Sequence, residues 1–499
     1  MPSGAARLCL ALTEPTLARA AELARANAAR IDMVELRADF LDDGELARLS
    51  RFPDMVAMPA ILTIRRTAEG GKFHADERSR RRLIGEAAGA YRYVDLESDV
   101  DRSFDEAVPA GTRVIRSLHD TAGVPSRIER VIRDLPRTGR EIAKAAVTPR
   151  TGSEMVDLFE CARRLGAPSP GAPERILLGM GRFGLPTRIL AAHLGNFLTF
   201  CSRSGRSAAP GHLDPDTMVE LYRFRSIHAG TRVLGVVGTP LSHSRSPQIH
   251  NPALAAAGVD GVYVPIELDD LGELDRLARL LPLDGCSVTI PHKGHAARMS
   301  EAGPMVQRVG ACNTLVRTRT GWRGENTDVH GFLAPLREGS IVPLRATVIG
   351  AGGAARAVAF ALRSLGTELL LLNRTEQRAR SLARDCGGRA GALDAAGLAQ
   401  VPEYSELIVQ TTSVGLPDNP GDPLAAYSFR GHELVYDLVY GEGLTPMLRR
   451  ARGAGCAVID GSRMLAEQAY EQFRLFTGSA FPDSAKPGPE RTRSAANGR

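Results

Sequence analysis

The feature of this sequence that most constrains its fold is a series of short apolar runs, recurring roughly every 25 residues over the first 200 positions. Amphipathic segments separate the runs, and eight strands alternating with helices predict a (β/α)8 barrel. An open doubly wound sheet is the alternative, although this half carries no glycine-rich phosphate loop. The runs are Leu8–Leu12, Ile31–Leu36, Ile61–Ile64, Tyr93–Leu96, Val114–Leu118, Ile142–Val147, Ile176–Met180 and Phe197–Cys201. Residues 214–228 are expected to close this half with a helix.

Polar side chains stand at the ends of several of these runs. Glu35 and Arg37 share one face of the second run because side chains alternate along a strand. Arg65 and His119 directly follow the third and fifth runs, and Lys144 shares one face of the sixth run with Ile142. Active sites of barrels form at the carboxyl ends of the strands. We therefore expect these side chains to meet in one pocket.

The cationic residues are unusually biased toward arginine. Of the 63 lysines and arginines, only Lys72, Lys144, Lys293 and Lys486 are lysine. Arginine does not release its proton near neutral pH, whereas the environment can tune a lysine amine to do so. Lys144 and Lys293 adjoin apolar strands and are the lysines expected to carry chemistry. Burial is expected to leave Lys144 able to attack a ketone, with His119 nearby to transfer protons.

A second pattern, typical of dinucleotide binding, lies in the C-terminal half. Gly350-x-Gly352-x-x-Ala355 follows an apolar run and precedes a helical segment, as in a βαβ unit whose helix start holds a pyrophosphate. The next apolar run ends in a neutral amide, a guanidinium and a hydroxyl, which suit a 2′-phosphate and so favour NADP(H). The predicted cofactor-binding residues are Gly350, Ala351, Gly352, Gly353, Ala354, Asn373, Arg374 and Thr375.

Lys293 follows another predicted strand, and Asp328 closes the segment Gly324-Glu-Asn-Thr-Asp328. An amine and a carboxylate held together can relay the proton that accompanies hydride transfer. An ordinary surface ion pair is the alternative for two such residues taken alone.

Five motifs in the first half occur in the order seen in type I 3-dehydroquinate dehydratases, and residues 8–228 resemble that family. They are Met33–Asp39, Thr63–Gly71, Ser117–Asp120, Ile142–Pro149 and Gly184–Arg188. The resemblance implies that Lys144 forms a Schiff base with the C3 ketone of 3-dehydroquinate. It also implies that His119 removes the C2 proton and that Glu69 orients His119. The substrate would be held by Glu35, Arg37, Arg65, Arg188, Ser207 and His212.

One stretch departs from that family. Its Ser-Ala-Pro-Gly-Gln lid motif reads Ala208-Ala-Pro-Gly-His212 here. The hydroxyl expected at 208 is missing, with Ser207 beside it, and His212 replaces an amide. A lost hydrogen bond to substrate would cost about 1–3 kcal/mol, so affinity and turnover are affected rather than the type of reaction.

The second half, from residue 232 to about 478, resembles shikimate dehydrogenases. The motifs that carry the resemblance are Gly238–Asn251, Val288–Lys293, Gly310–Thr314, Gly324–Asp328, Asn373–Thr375, Tyr436–Tyr440 and Met464–Ala469. The resemblance makes Lys293 and Asp328 the catalytic pair. It assigns the substrate to Ser244, Ser246, Asn313, Asn326, Tyr440 and Gln468. Residues 461–463 read Gly-Ser-Arg where many members have Gly-Leu-Gly, which affects the nicotinamide edge.

Together the two resemblances imply a bifunctional enzyme of the shikimate pathway, which dehydrates 3-dehydroquinate and then reduces 3-dehydroshikimate to shikimate. An enzyme that oxidises quinate or shikimate, or a ligand-sensing regulator built on the same domains, are the alternatives. Retained proton-transfer groups argue against the regulator. The expected domains are a barrel over 1–228, a two-lobed α/β dehydrogenase and a disordered tail over 479–499. The dehydrogenase is expected to have a substrate lobe over 232–342, completed by 458–478, and a Rossmann NADP lobe over 343–457.

The composition indicates neither a nucleic-acid partner nor a membrane-spanning segment, so small molecules are the expected ligands. A net charge of +6 without a basic block gives no sign of nucleic-acid binding. No stretch of about 18 uncharged apolar residues is present, so no membrane span is expected. The seven cysteines include no C-x-x-C pair, which predicts reduced thiols in a cytoplasmic enzyme without a metal site.

Overall fold

The computed structural model describes residues 5–168, 173–203, 211–242, 244–441 and 443–486. Contacts divide the chain into two compact units. The first unit joins residues 1–247 with 260–283, and the second joins 248–259 with 284–499. A segment of the C-terminal half therefore belongs to the same compact unit as the N-terminal half.

An eight-stranded parallel sheet forms the N-terminal half, in the order β7-β6-β5-β4-β3-β2-β1-β8. The amide of Phe197, just before β8, donates to the carbonyl of Arg175 in β7 (2.7 Å), so the barrel is nearly closed. This confirms the predicted barrel. The strands are β1 Arg7–Leu12, β2 Met33–Arg37, β3 Ala60–Thr63, β4 Tyr93–Glu97, β5 Arg113–Asp120, β6 Ile142–Val147, β7 Arg175–Gly179 and β8 Leu198–Ser202.

The barrel strands are largely buried. All eight of them contribute residues to one core cluster, among them Cys9, Met33 and Ile61 from the first three strands. Helices flank the strands in sequence, as the period of the intervening segments predicts. They are α1 Leu17–Ala26, α2 Asp43–Leu46, α3 Glu77–Ala87, α4 Ser103–Glu106, α5 Ile128–Asp134, α6 Gly152–Leu165 and α7 Gly181–Ile189.

The helix expected over 214–228 is wrong in extent. The structure has a short π-helical turn, Thr217–Leu221, followed by a 3-10 turn, Phe224–Ser226. Between them Arg223 has φ +53°, in the left-handed region, which interrupts a right-handed helix.

The next elements are β9 Arg232–Gly238, α8 Ser246–Ala256, β10 Gly261–Glu267 and α9 Glu273–Ala278. In the first unit, β9 and β10 pair in parallel.

Within the second unit, β13 pairs antiparallel with both β11 and β14, and β14 pairs in parallel with β12. These elements are β11 Leu283–Val288, α10 Lys293–Met299, β12 Glu301–Ala302, α11 Pro304–Val309, β13 Thr314–Arg317, β14 Trp322–Glu325 and α12 Asp328–Glu338.

The second unit also contains a six-stranded parallel sheet, whose strand order is β17-β16-β15-β18-β19-β20. This is the doubly wound order of dinucleotide-binding folds, and it confirms the predicted Rossmann fold. Its elements are β15 Arg345–Ile349, α13 Gly353–Ser364, β16 Glu368–Asn373, α14 Glu376–Cys386, β17 Arg389–Ala392, α15 Ala395–Leu398, β18 Leu407–Gln410, β19 Leu434–Asp437, α16 Pro446–Gly453, β20 Ala457–Ile459 and α17 Gly461–Thr477.

The ordered chain extends beyond the point at which a disordered tail was expected. Phe481 is buried and its ring lies 4.3 Å from that of Tyr470 and 5.3 Å from that of Phe473, between centroids. These apolar contacts fix the position of Phe481, although the Pro- and Ser-rich composition of this segment predicts disorder. Residues 487–499 lie outside the described residues. Among the described residues, no helix is both long and apolar enough to cross a bilayer.

Candidate active sites

A cavity at the carboxyl ends of the barrel strands brings together the predicted residues of the first half. Every one of them that the structure describes lines this cavity, whereas Ser207 and Ala208 lie outside the described residues. The lining residues from the prediction are Glu35, Arg37, Arg65, Glu69, His119, Lys144, Arg188 and His212.

Lys144 lies on β6 with its side chain only 5% exposed. Its Nζ is 2.7 Å from Oδ2 of Asp95 and 3.7 Å from Oε1 of Glu35. It also stands 4.5 Å above the ring centroid of Phe200. The amine thus has one hydrogen-bonded carboxylate partner, a second carboxylate farther away and an aromatic ring on one side.

Asp95, which sequence reasoning missed, joins the pocket residues Arg65 and Lys144 to Ser117 of β5. Its Oδ1 accepts hydrogen bonds from Arg65 (2.7 Å) and from the Ser117 hydroxyl (2.6 Å), while Oδ2 accepts from Lys144. Burial on its own would raise the pKa of Asp95, but the charges of Arg65 and Lys144 hold it well below its usual range. Asp95 therefore stays ionised and fixes the Lys144 amine.

A signal for Asp95 did exist in the sequence. It interrupts the apolar run Tyr93–Leu96, and an ionisable residue inside a buried strand needs a partner of opposite charge. On its own the pattern did not show which cation that would be.

His119 and Glu69 form a hydrogen-bonded pair in the same cavity, with Nδ1 of the ring 3.0 Å from Oε2. Burial lowers the pKa of His119 well below its ordinary value, and the charges of Arg65 and Lys144 add to the effect. Burial also raises the pKa of Glu69, to about 7. When Glu69 is ionised it accepts a hydrogen bond from Nδ1–H of His119, and this tautomer leaves the lone pair of Nε2 as the base.

The cavity also holds cationic side chains suited to a carboxylate. Asp39 accepts two hydrogen bonds from Arg37, 2.9 and 2.8 Å long, and so orients its guanidinium. Arg188 on α7 is 1% exposed, and burial lowers its pKa to about 9. A bound anion would offset that burial cost.

His212 stacks on Phe200 with ring centroids 6.4 Å apart and planes 6° from parallel. Burial, followed by the charges of Arg188 and Arg37, keeps its pKa well below the ordinary value. A neutral imidazole therefore stands where the family motif has an amide.

In the second unit, Lys293 and Asp328 lie in direct contact, with Nζ 2.6 Å from Oδ2. Nδ2 of Asn313 donates to the other carboxylate oxygen, Oδ1, over 2.8 Å. It also lies 3.5 Å from Oε1 of Gln468. Four predicted residues thus converge at the start of α12. The Asn326 amide bonds mainly to backbone, donating to the Ala311 carbonyl (2.7 Å) and accepting from the Asp328 amide (3.1 Å).

The other predicted substrate residues of the dehydrogenase are Ser244, Ser246 and Tyr440, each of which belongs to one of the two units. Ser244 and Ser246 belong to the first unit, and their hydroxyl oxygens are 3.4 Å apart. Ser246 is the first residue of α8, and Ser244 lies two positions before it. Tyr440 follows β19 in the second unit and is half-buried.

The glycine turn after β15 has the shape that a dinucleotide requires. Gly350 has φ +115°, and a Cβ there would lie 2.4 Å from Oγ1 of Thr411. A Cβ on Gly352 would meet no atom within 4 Å, so the space beside it is open to a ligand. At Gly353, a Cβ would lie 3.1 Å from Cδ of Lys293. The catalytic lysine candidate therefore borders the turn.

The residues after β16 fit a phosphate better than a free ribose diol. Asn373 donates to the Thr375 carbonyl over 2.9 Å, and Arg374 is exposed. The nearby acidic residue, Glu376, is paired with Arg380 at 2.8 Å. An exposed guanidinium next to a carboxylate that is already paired is typical of a site for a 2′-phosphate.

The folds and sites together define a chain of two enzyme modules, a barrel lyase with a buried lysine and a Rossmann dehydrogenase. Residues 8–229 match the model of type I 3-dehydroquinase. Residues 236–315 match the shikimate dehydrogenase substrate binding domain, and residues 333–417 match shikimate / quinate 5-dehydrogenase.

The chain is similar to a bifunctional 3-dehydroquinate dehydratase/shikimate dehydrogenase, chloroplastic, from Arabidopsis thaliana. The two are 34% identical over 489 residues, which cover 92% of this chain and 80% of the relative. An NADP(+) shikimate dehydrogenase of Anaeromyxobacter sp. strain K is 41% identical over 51% of this chain and 94% of its own. One from Moorella thermoacetica is 40% identical over 51% and 91%.

This chain belongs to the family of bifunctional 3-dehydroquinate dehydratase/shikimate dehydrogenases. The predicted combination of a lyase and an oxidoreductase of the shikimate pathway is confirmed.

Proposed function

We propose that this chain dehydrates 3-dehydroquinate through an imine on Lys144 and reduces the product, 3-dehydroshikimate, with NADPH beside Lys293 and Asp328. The observation that carries the proposal is that each scarce lysine contacts a carboxylate inside its predicted site, at 2.7 Å for Lys144 and 2.6 Å for Lys293. The domains proposed for these reactions are those expected from the sequence: 1–228, 232–342 with 458–478, and 343–457.

In the first reaction, the Lys144 amine attacks the C3 ketone after its proton has left, since only a neutral amine is nucleophilic. Loss of water from the adduct gives a cationic imine. Nε2 of His119 then takes the C2 proton, and the imine nitrogen accepts the electron pair that this releases. The pair returns to expel hydroxide from C1, which leaves as water with a proton from the histidine. Hydrolysis of the imine frees the product and Lys144.

Arg37 and Arg188 are proposed to neutralise the substrate carboxylate in this pocket. Glu35, Arg65 and His212 would contact the hydroxyls. Ser207 is retained as a proposed substrate contact from the sequence.

In the second reaction, bound NADPH supplies a hydride to the ketone carbon. Lys293 is proposed to donate a proton to the ketone oxygen as the C–H bond forms. Asp328 holds the amine, and Asn313 in turn orients Asp328 through its 2.8 Å hydrogen bond. Ser244, Ser246, Asn326, Tyr440 and Gln468 are proposed to bind the substrate.

A coupled assay tests the proposal on the purified chain. We expect 3-dehydroquinate with NADPH to yield shikimate, faster than with NADH because Arg374 is free to pair with a 2′-phosphate. Faster oxidation of quinate with NAD than of shikimate with NADP would favour the catabolic alternative instead. Absence of both activities would contradict the proposal.

The pH dependence of the dehydratase tests the Glu69–His119 pair. The pKa of Glu69 is raised to about 7 by burial, so below that pH the carboxyl is protonated and donates to Nδ1. The ring proton then sits on Nε2, and the base is lost. We expect kcat/KM to fall about tenfold per pH unit below pH ~7, and Glu69→Gln to lower it about 10²–10⁴-fold while removing this ionisation.

Glu86→Gln, which removes an exposed carboxylate from α3, is the matched control and should keep the wild-type profile. A Glu69→Gln enzyme with the same acid limb as the wild type would exclude Glu69 as its source.

A cytoplasmic location is also proposed. It is supported by the seven cysteines, all of which are free thiols in the structure.

A further inference from the structure

The first unit contains a contact between the outer helices of the barrel and residues 267–276, a segment that the family match places in the dehydrogenase. Oδ1 of Asp269 accepts a hydrogen bond of 2.8 Å from the amide of Gly152, the first residue of α6. A Cβ at Gly152 would lie 2.6 Å from Cδ2 of Leu268, which is fully buried. The segment and the helix are therefore in close steric contact.

An ion cluster adds to this contact. Arg276 reaches from α9 to α6, where its Nε lies 3.0 Å from Oε2 of Glu160 and its Nη2 contacts both Asp157 and Glu160. The Arg276 side chain is 30% exposed and that of Glu160 19%. Partial burial and two carboxylate partners make such a guanidinium more than an isolated surface pair.

A third contact involves α7. Oε2 of the buried Glu267 lies 3.4 Å from Nε of Arg182, in the first turn of that helix. Its other oxygen, Oε1, accepts from the amide of Leu241 over 3.0 Å, in the loop that leads to Ser244. One carboxylate thus touches a barrel helix and the loop of the proposed dehydrogenase serines.

The two barrel helices in these contacts, α6 and α7, are directly connected to residues of the dehydratase pocket. Helix α6 begins shortly after β6, which carries Lys144, and α7 follows β7 and carries Arg188. A displacement of about 1 Å in a catalytic group lowers rates substantially. Contacts that hold the starts of α6 and α7 therefore bear on the positions of these two side chains.

We propose that residues 267–276 brace the dehydratase barrel, and that Asp269 and Arg276 are positioning residues for a reaction their own module does not perform. The carboxylate of Asp269 holds the first turn of α6, where a negative charge is favourable, while Arg276 clamps the next turns. The inference rests on the proposed roles of Lys144 and Arg188.

The test uses full-length Asp269→Ala and Arg276→Gln, singly and together. We expect the amides in the first turn of α6 to exchange hydrogen roughly tenfold faster or more in Asp269→Ala. The dehydratase kcat/KM of the double variant should fall about tenfold, while borohydride still traps an imine on Lys144. Asp269→Asn keeps an acceptor oxygen, so its amide exchange in α6 and its dehydratase kcat/KM should stay close to those of the wild type. Arg279→Gln, an exposed change at the end of α9, should match the wild type.

Wild-type exchange and kcat/KM in the double variant would overturn the brace. If the double variant does not fold, a double-mutant cycle on Arg276 and Glu160 tests the brace instead. Arg276→Gln and Glu160→Gln should have non-additive effects on the temperature of dehydratase inactivation, and additive effects would likewise overturn the brace. Absence of a trappable imine in the wild type would instead refute the proposed role of Lys144.

Discussion

Lys144→Ala is expected to lower dehydratase turnover by about 10⁴-fold or more, as removal of a covalent nucleophile does in other enzymes. No other lysine among the described residues lines the barrel cavity, so no second amine can take its place. Borohydride treatment with 3-dehydroquinate should add no mass to the variant. Reduction of 3-dehydroshikimate should continue at the wild-type rate.

The matched control is Lys72→Ala, which removes an exposed amine that stands over the ring of Phe40. We expect both activities and the borohydride adduct to be retained in this variant. Near-normal dehydration by Lys144→Ala would exclude the imine mechanism at this residue.

Lys293→Ala should have the opposite effect and reduce the turnover of the dehydrogenase about 10²–10⁴-fold, the range for loss of a general acid. The amine is 2.6 Å from Asp328 and borders the glycine turn at Gly353, so its loss removes the proton source beside the nicotinamide. The measurement is NADPH oxidation with 3-dehydroshikimate supplied directly. Dehydration and imine trapping should be unaffected.

Lys486→Ala controls for loss of a lysine in the same half, since this amine pairs with Asp483 on the C-terminal segment. It should reduce 3-dehydroshikimate normally. A Lys293→Ala enzyme with the same turnover as this control would assign the proton transfer to another group.

The strands of the barrel could be predicted from sequence because each is a short apolar run with buried faces. The sixth was predicted as Ile142–Val147, and the structure has these bounds. Side-chain alternation also predicted that Glu35 and Arg37 would face one cavity, which they do. Local periodicity was sufficient in these cases because strand and side-chain direction depend on neighbours in sequence.

Contacts between distant residues could not be predicted in the same way. Asp95 and Lys144 are 49 positions apart, and the pairing depends on the strand order of the barrel. Arg276 and Glu160 are 116 positions apart and belong to different modules. Neither pair has a local pattern that names its partner. The helix expected over 214–228 was wrong for a related reason, since its pattern did not show the backbone turn at Arg223.

The most direct test of the two-lysine account is to mix the two variants. Lys144→Ala alone should form shikimate from 3-dehydroquinate and NADPH about 10⁴-fold more slowly than the wild type. Lys293→Ala alone should accumulate 3-dehydroshikimate and reduce it about 10²–10⁴-fold more slowly. Combined in one tube, the variants should produce shikimate, because each supplies the module that the other lacks. Shikimate formation by either variant alone at the wild-type rate, or none by the mixture, would contradict the assignment of one lysine to each reaction.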